Sequence, residues 1–76
     1  MNIKQVGSNQ TELHLDNGNI VFFSYETPVA AYTETLGYIK TDKRYSVTTT
    51  KHVNKWAGHH MTVPQATIDN IANGGE

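Results

Sequence analysis

The chain has 76 residues, a formal net charge of −1 and no cysteine. One domain, 1–76, is all that this length allows, and a domain so small buries only about 60% of the surface that its unfolded chain exposes. Disulfides and cysteine-ligated zinc are excluded, and the longest apolar run, Ile20 to Phe23, falls far short of the ~20 residues of a membrane helix.

Asn2 to Val6 is short and mildly β-prone, with Gly7-Ser8-Asn9 as a turn after it. Its surroundings hold no apolar run of the kind that directs secretion. From Gln10 to Leu15 the chain alternates: Thr11, Leu13 and Leu15 on one side, Gln10, Glu12 and His14 on the other. That period of two marks a half-buried strand. Asp16-Asn17-Gly18-Asn19 follows, and Asn-Gly tolerates the positive φ angles of a two-residue type I′ turn. With Asn17 and Gly18 as the loop, Leu15 faces Ile20 and Leu13 faces Phe22, on the side of Thr11 and Ser24. Val21, Phe23 and Tyr25 then form a second, semi-apolar face, which suits burial against another copy of the chain.

Pro28 cannot donate to a ladder, so it interrupts or begins a strand. Val29 to Thr33 reads as a strand, Glu34-Thr35 as a loop, and Leu36 to Lys40 as the next strand. Thr41-Asp42 turns the chain into Lys43 to Val47, with Tyr45 and Val47 on one face. Thr48 or Thr49 is placed to cap a helix, on which Val53, Trp56 and Ala57 share a face and Gly58 supplies the stop. Lys51 and Lys55 project from another face, and His52 sits one turn before Trp56. Met61-Thr62-Val63-Pro64 opens a second helix, with Ile68, Ile71 and Ala72 on its inner side. Together these elements predict an α+β domain: a small antiparallel sheet of four to five strands with two C-terminal helices packed on one face. The expected core is Leu13, Leu15, Ile20, Phe22, Val47, Val53, Trp56, Ile68 and Ile71.

Charge is unevenly spread. Lys40, Lys43, Arg44, Lys51 and Lys55 fall within residues 40–56, opposed there only by Asp42. Such a patch focuses a field over one surface. Lys43, Arg44, Lys51, His52 and Lys55 are therefore the candidate partner-binding residues. Catalysis finds no footing: there is no Gly-x-Ser-x-Gly, no thiol and no phosphate-cradling glycine loop. Ser46, Thr48 and His52 read better as strand-end and cap groups than as a nucleophile set. His52, His59 and His60 lack the carboxylate or cysteine that would complete a metal site. Lysines, threonine hydroxyls and a helix N-terminus suit nucleic-acid phosphates, against which stands the slightly negative net charge.

Two blocks carry a family likeness. SYETPVAAY (24–32) followed by YSVTTTKHVNKW (45–56), with a later Val63-Pro64-Gln65, resembles a family of small uncharacterised bacteriophage proteins. Its pattern is SY-x-TPVA followed by YS-x-TT-[ST]-KH-[IV]-N-[KR]-W. The linker Gly58-His59-His60-Met61 departs from it. The resemblance implies a phage-encoded protein in the host bacterial cytoplasm, and it brings no activity or cofactor with it. The expectation is a non-enzymatic accessory protein that engages a host macromolecule, protein first and nucleic acid as the alternative.

Overall fold

The computed structural model describes residues 2–43, 45–58 and 61–74. Five strands follow one another as antiparallel neighbours: β1 (Asn2–Gly7), β2 (Gln10–His14), β3 (Ile20–Ser24), β4 (Thr27–Thr33) and β5 (Gly37–Thr41). Helix α1 (Val47–Ala57) then carries the chain over to β6 (Met61–Val63), which lies parallel to β5, and α2 (Gln65–Ala72) follows. The sheet thus has six strands in sequence order and is mixed, where four or five antiparallel ones were expected. A parallel neighbour needs a crossover of a dozen or more residues, and α1 supplies it.

The two helices pack on opposite faces, which corrects the expectation of one. Phe22, Val29, Ala30, Val53 and Ala57 form a buried cluster beneath α1, with Tyr45 and Trp56 against it. Val21, Ala31, Ile39, Val63, Ile68 and Ile71 form a separate one beneath α2, joined by Leu13, Leu15, Phe23 and Ala72. Neighbouring residues of a strand point to opposite faces, so Val21 and Phe22 belong to different cores. A run such as Ile20 to Phe23 is what a strand buried on both sides requires.

The β2–β3 hairpin also departs from its expected register. Its loop is Asp16-Asn17-Gly18, one residue longer than the type I′ turn. Leu15 N–H donates to the Asn19 carbonyl (2.8 Å) and Gly18 N–H to the Leu15 carbonyl (3.1 Å). Gly18 takes the left-handed position (φ +92°) that such a three-residue loop demands. His14 consequently pairs with Ile20 and Leu13 with Val21. Sliding by one residue exchanges the faces of every partner: Val21 and Phe23 join Leu13 under α2, while Phe22 turns toward α1. Ile20 is only half-buried and belongs to neither cluster.

Between β3 and β4 the register shifts again. Phe22 pairs with Ala30 but Phe23 with Pro28, so Val29 is an extra residue. Such a bulge lets Val29 and Ala30 both lie in the α1-side core, and it accommodates a proline inside β4.

The described residues of the expected strand 43–47, namely Lys43, Tyr45, Ser46 and Val47, are not in a strand. Ser46 is the N-cap of α1: its Oγ accepts a hydrogen bond from Thr49 N–H at 3.1 Å, a role expected of Thr48 or Thr49. Such a cap contributes about 1 kcal/mol. Val47 becomes the first helical residue and is 74% exposed, so it leaves the expected core. Likewise Met61–Val63 is a strand instead of a helix start, and Pro64 caps α2.

Candidate functional site

Helix α1 presents a buried stripe, an exposed crest and two flanks. Thr49, Val53 and Ala57, spaced by four, form its buried stripe. Lys51 and Lys55, also four apart, are exposed on the crest that faces away from the sheet. The flanks between stripe and crest differ in character.

On the flank toward β2 and β3, the two sequence blocks Ser24–Tyr32 and Tyr45–Trp56 meet. Ser24 Oγ lies 2.9 Å from His52 Nδ1 and 3.1 Å from Thr49 Oγ1, and Ser46 Oγ lies 3.2 Å from Thr49 Oγ1. One chain of hydroxyls thus links the cap of α1 to the imidazole. Ser24 is 1% exposed and Thr49 7%, so Ser24 Oγ, though it stands at a nucleophile–base spacing from the half-buried His52, is itself shielded from solvent. Tyr25 begins the turn to β4 at φ +59°, a strained setting for a bulky residue. Its N–H donates to the carbonyl of Asn9 (2.7 Å), itself at φ +59°. The Tyr25 ring stands 6.2 Å from that of His52.

Further along this flank Trp56 stacks on Phe22, with ring centroids 5.0 Å apart and planes 15° from parallel. Its Nε1–H donates to Glu12 Oε2 at 2.8 Å, and Glu12 Oε1 lies 2.8 Å from His14 Nε2. Burial acts to raise the Glu12 pKa. The indole donor, the His14 hydrogen bond and the positive charges of His14 and Lys4 outweigh it, and the carboxyl stands below its ordinary value of 4.5. A group whose folded pKa is depressed stabilises the fold above its unfolded pKa, and that contribution is lost as pH falls through the folded value. Urea midpoints should therefore drop as pH is lowered from 4.5, and Glu12→Gln should flatten that drop. Equal slopes in both proteins would remove Glu12 as the cause.

The other flank holds a cleft of ≈ 140 Å³ whose lining includes Lys40, Asp42, Lys43, Tyr45, Thr50 and Asn54. Lys40 Nζ donates to Asn54 Oδ1 (3.1 Å) and to the Gly58 carbonyl (3.2 Å), placing a cation at the negative end of α1. Lys43 Nζ sits 5.4 Å from the centre of the Tyr45 ring, within cation–π range.

The five candidate residues are therefore not one patch. Lys51 and Lys55 share the crest, Lys43 lines the cleft, His52 turns to β3 on the opposite flank, and Arg44 lies outside the described residues. Lys40 belongs to the basic cluster of the sequence, but its place at the end of α1 has no local signal. A strand lysine meets the end of α1 only through the crossover. Among the described residues no three His, Cys, Asp or Glu gather as a metal site, and His59 and His60 lie outside them. No described helix is long and apolar enough to cross a membrane.

Comparison with the curated proteins and with the solved structures finds no match. The chain belongs to a family of unknown function, DUF8033, whose model matches residues 1–70.

Proposed function

We propose that this member of the family is a small bacteriophage accessory protein without catalytic activity, which docks on an acidic host protein in the bacterial cytoplasm through the crest of α1. The observation that carries this reading is the pair Lys51 and Lys55. Both are exposed and four residues apart, on a helix that contains no acidic residue. Neither meets a carboxylate among the described residues. Unneutralised lysines at fixed spacing give electrostatic complementarity, which sets partner choice and encounter rate. The shielding of Ser24 beside His52 supports binding over catalysis, and the likeness of the two sequence blocks to phage proteins supports the setting. Nucleic acid is the second reading, favoured by Lys40 and Lys43 in the cleft beside the crest.

Capture from bacterial lysate with the wild type and with Lys51→Glu/Lys55→Glu tests the first reading. The variant should lose a partner, identified by mass spectrometry, that the wild type retains. Equal retrieval by both would sink it. Binding to a generic oligonucleotide at low salt that fades steeply toward physiological salt would favour the second reading instead.

A further inference from the structure

One apolar row crosses the sheet on its α2 side. Ile39, Ala31, Val21, Leu13 and Ile3 are successive cross-strand partners from β5 to β1. Its inner members, Ile39, Ala31 and Val21, are fully buried, whereas Leu13 is half-buried and Ile3 is 69% exposed. Helix α2 packs on β3, β4 and β5, so the row runs out from under it. Beside its uncovered end lies an open groove of ≈ 200 Å³ lined by Ile3, Thr11, Leu13, Phe23 and Tyr25, none of them charged. Strand β1 is also an edge of the sheet, with backbone donors and acceptors open to another strand.

We propose that a second copy of this chain covers this edge, β1 pairing antiparallel with β1 about a two-fold axis so that Ile3 lies opposite the partner's Ile3. The row then continues through both molecules, as Leu13, Ile3, the partner's Ile3 and the partner's Leu13. Charge selects both the occupant and the register. The groove holds no charge to attract an acidic or basic partner. Lys4, the only charged residue of β1, already faces Glu12 across the β1–β2 ladder. Centring the pair on Ile3 sets Lys4 opposite the partner's Asn2. Centring it on Lys4 sets two ammonium groups opposite each other, and like charges in that position are destabilising. A strand of six residues is only about 20 Å long. The contact belongs to the small class below about 1,200 Å², and the dimer population rises with concentration.

Sedimentation equilibrium from micromolar to millimolar chain tests the association, and engineered cysteines test the register. The wild type should rise from 8.5 kDa toward twice that mass. Ile3→Lys should stay monomeric with an unchanged circular dichroism spectrum, since that side chain is exposed. In a chain without other cysteines, Ile3→Cys should form a disulfide-linked dimer under mild oxidation, and Gln5→Cys, which keeps the Lys4 charge, should do so at least tenfold more slowly. A wild type monomeric up to millimolar overturns the proposal, as does an Ile3→Lys variant that still dimerises. Faster cross-linking of Gln5→Cys than of Ile3→Cys overturns the register.

Discussion

Trp56→Ala should destabilise the fold by about 3 kcal/mol, the lower end of the range for removing a large aromatic, because the indole is only partly buried. Three contacts go with it. The stack on Phe22 at 5.0 Å is lost, as is the edge contact with Tyr38 at 5.4 Å and the donor to Glu12 at 2.8 Å. The last loss leaves a carboxylate whose remaining hydrogen-bonding partner is His14. A chain of this length has a total stability on the order of 4–11 kcal/mol, so the variant sits near the edge of folding. Urea denaturation followed by far-ultraviolet circular dichroism measures the change. Trp56→Phe separates the causes: it keeps most of the ring packing and drops the N–H, and its cost should be about 1–2 kcal/mol. Should the alanine variant cost less than 1 kcal/mol, the indole would be an ornament on the sheet and the Glu12 contact dispensable.

Ile68→Ala acts on the other face and should cost about 3 kcal/mol, within the usual range for a fully buried isoleucine. Helix α2 has eight residues, too few to persist without tertiary contacts. Ile68 and Ile71 are its two fully buried side chains, and Gln65 ties its start to the Pro28 carbonyl at 2.8 Å. The variant should therefore loosen α2 before the sheet. Amide exchange over residues 67–73 should quicken more than exchange in β3 and β4. Uniform acceleration over both would show that α2 and the sheet open as a single unit.

Much of this architecture was legible in the chain. The alternation from Gln10 to Leu15 is a strand, and the period of Val53, Trp56 and Ala57 is a helix on the sheet. Other features were ambiguous for physical reasons. Asn17-Gly18 suits a two-residue and a three-residue loop equally, since either needs a left-handed glycine, yet the two differ by one step in register. Ile20 to Phe23, four apolar residues without alternation, is the pattern of a strand covered on both faces, which the expectation of both helices on one face did not use. Strand β6 has three residues, fewer than any periodicity can show. Ser46, Thr48 and Thr49 are all competent caps, and tertiary contacts chose among them. Thr49 was needed inside, against Ser24. At the candidate site the crest lysines followed from helical spacing. The meeting of Ser24 with His52, 28 positions apart, and of Lys40 with Asn54 depended on the crossover.

The order of strands in the sheet repeats their order in the chain from β1 to β5, and β6 alone depends on a helix being laid down first. Each of the first four pairings closes a short loop, which is the kind of contact that forms fast. The parallel pairing of β5 with β6 closes a loop that includes all of α1, so its entropic cost falls later. A nascent chain leaving the ribosome can therefore assemble its meander hairpin by hairpin. The longest loop closure falls in the final third of the polypeptide, where α1, β6 and α2 join the five-stranded meander.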